Sequence, residues 1–324
     1  MTGRERFRET LGRSGADRVP YLEEGLRDDV LDRWHGQGLP RDADLAEMFH
    51  MDRRERIPLG LEPRPPMEGP PRSRRDLRVL HDRLNAADPG RLPEDWHARV
   101  AAWRNRDHIL ELPVHRGFFL TMGVEDWSRF LDVMYLFGDA PTLLREIMEL
   151  HGRFTARLVE RVLPEVEIDF ASFSEPIGSN HGPLLSPKQY REYVLESYLP
   201  VIDVLRRHGV ETICLITYAN ARALLPSILD AGFNCLWACE ADVRTMDYRD
   251  LRREFGRQLR LIGGIDLDVL LLDRTAIRTE IMSKVPPLLA EGGYIPLADG
   301  RVRANVPLEN YVYYRRLLEE VTQA

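Results

Sequence analysis

The sequence contains few cysteines and almost no lysine. Cys214, Cys235 and Cys239 are the three cysteines, and their spacing fits neither a disulfide framework nor a zinc ribbon. Such sparse cysteine is typical of a reducing compartment, so we expect a cytoplasmic protein. Lysine occurs only at Lys188 and Lys284 among 45 basic residues, so an anion site in this chain has to be built from arginine. The arginine bias is typical of a GC-rich genome.

Long apolar runs and several catalytic motifs are also missing. No run approaches the ~18 apolar residues of a transmembrane helix, and the charged start Met1–Arg6 does not resemble a signal peptide. A net charge of −7 argues against a nucleic-acid footprint. The sequence has no phosphate loop, no Gly-x-Ser-x-Gly elbow and no His-Glu-x-x-His. We therefore expect a small-molecule substrate, no nucleic-acid or membrane partner, and a homodimer as the default assembly.

Apolar strands alternate with helices that end at glycine, a pattern typical of parallel strands buried on both faces. The predicted strands lie near Arg18, His108, Glu167, Thr212, Cys235, Leu259 and Tyr294, with an eighth at Arg56–Leu59 or Phe118–Thr121. Eight such strands predict an α/β fold of the TIM (β/α)8 barrel type. An open doubly wound sheet is the rival, and the absence of Gly-x-Gly-x-x-Gly after the first strand disfavours it.

We expect one domain over residues 1–324, because no linker interrupts the pattern. Residues 1–106 form an elaborated N-terminal region of helices, a first strand and the proline-rich excursion Ile57–Ser73. Residues 107–324 carry the main run of strand–helix units.

Polar residues follow the predicted strands, where a barrel places its active site. The residues expected to be catalytic are Glu23, Glu175, Tyr218, Asp266 and Asp299. The residues expected to bind substrate are Tyr21, His115, Arg116, Asn220, Glu240 and Arg301. Further polar residues at the same ends are Glu24, Ser174, Thr217, Asp242 and Arg303.

Several of these residues have an equally simple structural interpretation. Asn220 and Asp266 are good helix caps, and His115 could merely pack. Cys214 and Cys235 are interpreted as small core residues. No metal ligands are predicted.

Four segments, in order along the chain, resemble the uroporphyrinogen decarboxylase superfamily. They are Arg4–Pro20, Gly182–Tyr190, Gly263–Asp266, and Glu291–Pro296 followed by Val306–Tyr311. The resemblance implies a TIM barrel. It also implies one of two activities, that of the porphyrinogen decarboxylases, which need no cofactor, or that of the zinc-dependent, corrinoid-linked methyltransferases.

The departures from these patterns are informative. The decarboxylases carry Arg-Gln-Ala-Gly-Arg after the first strand, where this chain has Leu22–Arg27 with an acidic pair that repels a polycarboxylate. Their Gly-His-Gly after the last strand is Ala298–Gly300 here. The methyltransferases hold zinc with His-x-Cys-Gly-Asn, and this chain has Ile216–Asn220 without the His and Cys.

Three functions remain open, and each assigns the polar strand ends a different task. The leading hypothesis is a cofactor-independent, decarboxylase-like carbon–carbon lyase that acts on an organic acid other than uroporphyrinogen. The second is a zinc-independent methyltransferase, which alone would need a corrinoid protein as partner. The third is a non-catalytic binding protein on the same fold.

Overall fold

A parallel sheet forms the centre of the molecule. The computed structural model describes residues 1–12, 15–125, 127–179, 181–240 and 245–323. Within these residues the sheet has seven strands in the order β1-β2-β3-β6-β7-β8-β9, and all neighbours run parallel. The strands are β1 (Arg54–Arg56), β2 (Ile109–His115), β3 (Phe170–Glu175), β6 (Ile213–Tyr218), β7 (Cys235–Cys239), β8 (Arg260–Gly263) and β9 (Tyr294–Ile295), and a small antiparallel pair is formed by β4 (Gly178–Ser179) and β5 (Gly182–Pro183).

Helices connect the strands and cover the outer face of the sheet. They are α1 (Gly3–Gly12), α2 (Val30–His35), α3 (Leu45–Met48), α4 (Arg74–Arg83), α5 (Trp96–Trp103), α6 (Phe118–Thr121), α7 (Phe130–Asp139), α8 (Pro141–Val162), α9 (Pro187–Gln189), α10 (Glu196–Arg207), α11 (Leu225–Ala231), α12 (Tyr248–Phe255), α13 (Arg274–Glu291) and α14 (Leu308–Gln323). A π-helical segment, Tyr190–Leu195, joins α9 to α10. None of the helices described is long and apolar enough to cross a membrane.

The sheet is strongly curled. The Arg54 guanidinium on edge strand β1 lies 4.5 Å from the ring centroid of Trp237 on β7, four strands away in the sheet order. A flat sheet would separate these strands by about 19 Å, because neighbours lie about 4.8 Å apart. Side chains on the concave face form one buried cluster, which comprises Phe7, Leu11, Leu22, Ile109, Phe170, Cys214, Ile216, Cys235, Trp237, Cys239, Ile262, Ile295 and Leu297. Cys214 and Cys235 are thus core residues, as expected.

The predicted first strand is wrong, because the segment around Arg18–Leu22 forms no strand. Pro20 has no N–H to give to a ladder. The Tyr21 N–H donates instead to the side chain of Asp52 at 2.8 Å, and the Asp52 N–H donates to the Tyr21 carbonyl. The segment is nevertheless extended beside the entry to β1, and Leu26 forms a parallel bridge with Val302.

Of the two candidates for the remaining strand, only the one beginning at Arg56 lies near a strand. That strand is β1, which is shifted towards the N-terminus of the predicted range. The alternative, Phe118–Thr121, is helix α6. The apolar run Phe118-Phe119-Leu120 packs in the helical layer, with Phe118 and Phe119 buried there.

Helices α8 and α10 cross very closely, and glycine makes this crossing possible. A Cβ added to Gly152 would lie 2.0 Å from the carbonyl oxygen of Ser197. A backbone atom cannot swing aside as a side chain can, so the two helices would have to separate.

We therefore expect Gly152→Ala to lower the free energy of unfolding by about 1–3 kcal/mol, the usual cost of overpacking. Gly138→Ala is the matched control, because Gly138 lies in helix α7 with nothing within 4 Å of the added Cβ. The control should be neutral, or more stable by up to about 1 kcal/mol, because alanine favours helix. Urea denaturation of both variants provides the measurement, and equal effects would contradict the close-crossing interpretation.

Candidate active site

The concave face of the sheet carries a buried charged network just below the carboxyl ends of the strands. The Glu111 carboxylate on β2 is fully buried and accepts hydrogen bonds from three side chains on two neighbouring strands. These donors are Arg54 Nη1 at 3.2 Å, Arg56 Nε at 3.0 Å and Ser172 Oγ at 2.6 Å. Arg54 and Arg56 share this face because side chains two residues apart in a strand point the same way.

Arg56 is the exposed member of this network. Its side chain is 56% exposed, whereas that of Arg54 is 14% exposed. Glu111 accepts from the Nε atom of Arg56, and the two terminal Nη atoms have no hydrogen-bond partner among the residues described. The paired Nη edge of a guanidinium matches the two oxygens of a carboxylate. Arg56 therefore presents its terminal Nη edge, which has the geometry to pair with a carboxylate, at the opening of the curled sheet.

Glu24 lies next to Cys239 at the end of β7, and the buried carboxyl of Asp299 is close enough to act electrostatically on the same thiol. The Cys239 thiol donates to Glu24 Oε1 at 3.4 Å. Burial raises the pKa of that thiol well above its usual value, and the charges of Glu24 and Asp299 raise it further. Asp299 is 4% exposed and accepts from the Gly264 N–H at 2.7 Å. Burial raises the pKa of Asp299 well above its ordinary value, and the N–H of Gly264 opposes this shift.

Tyr218, at the end of β6, completes this group. Its side chain is 38% exposed, an unusual position for a large aromatic residue that follows a buried strand. Burial raises the pKa of Tyr218 to about 12, and the charges of Cys239 and Glu24 contribute. The phenol is therefore neutral at pH 7 and can donate a hydrogen bond. We call Glu24, Arg56, Tyr218, Cys239 and Asp299 the mouth cluster.

The rim of the opening has strained backbone. Ala219 and Glu240 directly follow β6 and β7 and adopt positive φ angles of 57° and 48°. Non-glycine residues in this region cost about 1–3 kcal/mol each and concentrate at functional sites. Glu240 pairs with Arg27 at 2.8 Å, and a Cβ on Gly300 would lie 2.9 Å from Glu240 Cγ. Glycine at position 300 thus lets the loop after β9 pass close to Glu240.

Two residues predicted to lie at the mouth point away from it, towards helix α14. Glu23 is buried against Arg315, with its Oε1 2.6 Å from Nη1, and accepts from Tyr314 at 3.1 Å. Burial raises the pKa of Glu23, and Arg315 opposes this shift. Tyr21 is fully buried, and its hydroxyl lies 3.1 Å from Thr322 Oγ1. Since side chains alternate along an extended segment, Glu24 points into the mouth and Glu23 does not.

Glu175 and His115 also lie outside the mouth, in the layer between the sheet and the helices. Glu175 accepts from the Phe118 N–H at 2.9 Å and from the Tyr198 hydroxyl. His115 Nδ1 accepts from the Gly117 N–H at 2.8 Å, and its ring packs on Tyr198. Burial raises the pKa of Glu175 to about 7 and lowers that of His115 to about 3. Both residues therefore belong to a buried structural layer.

The other predicted residues lie at the strand ends, but their side chains form hydrogen bonds or ion pairs with neighbouring groups. Asp266 Oδ1 accepts from the Asp268 N–H and caps the turn Leu267–Leu271, as expected. Asn220 Oδ1 accepts from the Arg222 N–H in a local turn, but the residue that caps the next helix is Ala221. Burial raises the pKa of Asp266. Arg116 pairs with Glu62 at 2.5 Å. Arg301 donates to the Leu26 carbonyl from the rim. Asp242 lies outside the described residues.

Sequence reasoning missed Arg54, Arg56 and Glu111, although a signal was present. Arg54 and Arg56 alternate with Glu55, and alternating charged residues do not form an apolar strand pattern. Glu111 interrupts the apolar run Ile109–Val114, and a carboxylate in a strand buried on both faces needs a cationic partner.

Among the residues described there is no metal-binding group, and two cavities lie away from the mouth. No group of three or more His, Cys, Asp or Glu side chains is arranged to hold a metal ion. A cavity of about 840 Å³ lies between α13, α14 and residues 15–19, and another of about 430 Å³ lies below the sheet near Arg8 and Arg260. Neither cavity includes a member of the mouth cluster.

A curled parallel sheet with polar groups at the carboxyl ends of its strands is the arrangement of an α/β enzyme. Residues 120–316 match the family model described as uroporphyrinogen decarboxylase (URO-D). This match covers well over half of the chain, so the protein belongs to that family, and the resemblance drawn from its sequence is confirmed.

The curated relatives show that this membership is divergent. The chain is 23% identical over 200 residues to uroporphyrinogen decarboxylases from two strains of Legionella pneumophila, Lens and Philadelphia 1. Each alignment covers 61% of this chain and 53% of the relative, so the match spans about half the length of those proteins. Arg54, Arg56 and Glu111 all precede residues 120–316, the region that the family model matches.

The raised pKa of Glu175 predicts a pH-dependent stability. Between its ordinary pKa of 4.5 and about 7, the folded protein holds a proton that the unfolded chain has released. Stability from this group is therefore present at pH 4.5 and is lost as the pH rises to 7. Between pH 5.5 and 7 the loss should be about 2 kcal/mol.

Glu175→Gln should remove this pH dependence, because the amide does not titrate. Urea denaturation at several pH values measures it, with Glu149→Gln, on the exposed face of α8, as the control for losing one carboxyl group. Parallel stability curves for the original protein and Glu175→Gln would contradict the raised pKa.

Proposed function

We propose that this protein is a decarboxylase-like carbon–carbon lyase that acts on a small organic acid other than uroporphyrinogen. One observation carries the proposal: the mouth cluster combines a guanidinium edge without a described partner, on Arg56, with a buried carboxyl group, on Asp299. Family membership supports the reaction class. Family membership does not assign the substrate, because the charged network around Arg56 lies outside the region matched by the family model.

Arg56 is the proposed anchor for the substrate carboxylate. Glu111 holds the guanidinium through Nε and so fixes its plane while leaving the terminal nitrogens accessible. We assign to Arg56 the carboxylate-binding role expected of Arg116 and Arg301, because both of those arginines are paired with neighbours. A rigidly held arginine loses little side-chain entropy when it binds its ligand.

Asp299 is the proposed proton donor. Decarboxylation replaces a C–C bond by a C–H bond, and a nearby acid must supply the proton to that carbon. A buried carboxyl whose pKa is raised by burial can do so, and Tyr218 can donate a second hydrogen bond. The Asp299 carboxylate left behind regains a proton from solvent when product leaves.

The charges of the opening favour a substrate with few carboxylates. Among the described residues, Arg27, Arg54 and Arg56 face Glu24, Glu111 and Glu240, so positive and negative charges balance. A polycarboxylate needs several unpaired cations, and the like charges of Glu24 and Glu240 would repel it. We further propose that the extended segment 19–26 takes the place of the first strand and completes a TIM barrel.

The first prediction from this proposal is that uroporphyrinogen is not a substrate. Anaerobic incubation of the purified protein with uroporphyrinogen should yield no coproporphyrinogen above the rate without enzyme. Turnover on the order of 0.1 per second or faster, within or near the range of ordinary enzymes, would contradict the charge argument.

The second prediction assigns separate roles to the two central residues. With any acid from which the protein releases CO2, Asp299→Asn should lower kcat by about 10²-fold or more and leave KM nearly unchanged. Arg56→Gln should mainly raise KM, by about 10-fold or more, because it removes a charge-assisted hydrogen bond. Arg53→Gln is the control, since Arg53 adjoins the same strand but is 69% exposed and pairs with Glu55. Equal effects of Arg53→Gln and Arg56→Gln would contradict the anchor.

A further inference from the structure

Glu24 is the member of the mouth cluster that the proposed reaction leaves without a task. Its one described hydrogen-bond partner is the Cys239 thiol, a weak donor, at 3.4 Å. An ionised carboxylate has about four acceptor positions, so Glu24 retains most of its acceptor capacity. The side chain is partly buried, and a carboxylate in such a place gains most from a strong donor. Glu24 therefore suits a substrate group that carries a hydrogen on oxygen or nitrogen.

The position of Glu24 also restricts where the electrons of the broken bond can go. In a cofactor-independent decarboxylation, those electrons enter either a carbonyl group or an electron-rich ring. A β-keto acid would develop an enolate oxyanion, and a carboxylate beside an oxyanion raises the barrier. For a hydroxylated aromatic ring the effect of Glu24 on the barrier is favourable instead. Glu24 accepts a hydrogen bond from the ring hydroxyl and thereby increases the electron density of the ring.

Tyr218 provides a surface for such a ring. Its phenol ring is partly exposed at the opening, and the charges that act on it include those of Glu24 and Arg56. Aromatic side chains bind flat rings by stacked or edge contacts. The mouth therefore offers a carboxylate anchor, an aromatic surface and a hydrogen-bond acceptor to one ligand.

We propose that the substrate is a hydroxyaryl monocarboxylate, with its carboxylate on Arg56 and its ring hydroxyl on Glu24. This inference rests on the proposed function and names its substrate class. Asp299 gives its proton to the ring carbon that bears the carboxylate, and a pair of ring electrons forms the new C–H bond. The C–C bond then breaks, its electrons restore the aromatic ring, and CO2 leaves. The products are the hydroxyarene, CO2 and an ionised Asp299, which solvent reprotonates.

The test compares matched ligands on the full chain. The probes are benzoate, 2-hydroxybenzoate, 4-hydroxybenzoate and acetoacetate, with dissociation constants from calorimetry and CO2 release measured in parallel. At least one hydroxybenzoate should bind about 10-fold or more tightly than benzoate, because a hydrogen bond to a charged group contributes about that factor. Glu24→Gln should reduce the preference to below about 3-fold. Arg56→Gln should weaken all three benzoates alike, and Glu62→Gln, an exposed glutamate paired with Arg116, should change nothing.

The outcomes separate the inference from the proposed function. Equal affinity of the unmodified protein for benzoate and both hydroxybenzoates overturns the inference, whether or not Glu24→Gln folds. CO2 release from acetoacetate, without any hydroxyl preference, also overturns the inference but supports the proposed lyase. If no probe binds and none releases CO2, the proposed function and the inference both fail.

Discussion

The buried carboxylate of Glu111 is the constraint on which the mouth depends. It ties β1 and β3 to β2 through Arg54, Arg56 and Ser172 inside the curl of the sheet. A carboxylate this deep is tolerated only when it is paired, and removal of a partner of a buried ion pair typically costs about 3–5 kcal/mol. The same pairing that permits Glu111 in the core also fixes the guanidinium of Arg56 at the opening. Stability and the proposed ligand binding are therefore coupled at one residue.

Side chains point to alternate faces of an extended segment. This alternation explains both most of what the sequence predicts correctly and where its predictions fail. Apolar strands at Thr212 and Cys235 are unambiguous, because both faces are buried and neither contains a charge. At Leu22–Glu24 the pattern of Leu, Glu, Glu does not reveal which glutamate faces inward. That choice is made by Arg315 on α14, almost 300 residues away, which pairs with Glu23 and leaves Glu24 to the mouth.

The positions of the Glu175 and Arg56 side chains likewise could not be predicted from their own segments of sequence. Glu175 follows a strand and so satisfies the sequence criterion for a mouth residue, yet its direction is set by the Tyr198 hydroxyl and the Phe118 N–H on distant helices. Arg56 belongs to a strand of three residues, too short for its periodicity to be distinct. Tyr218 and Asp299 were predictable as mouth residues because each occupies an inward position at the end of an apolar strand or its extension. Their roles in catalysis stay predictions.

The location of the bound carboxylate tests the central claim most directly. A crystal structure of the protein with a bound hydroxybenzoate should place both carboxylate oxygens within about 3 Å of the Nη atoms of Arg56, with the ring beside Tyr218. A ligand held by Arg116 or Arg301, or in the cavity between α13 and α14, would contradict the assignment of the mouth cluster as the active site.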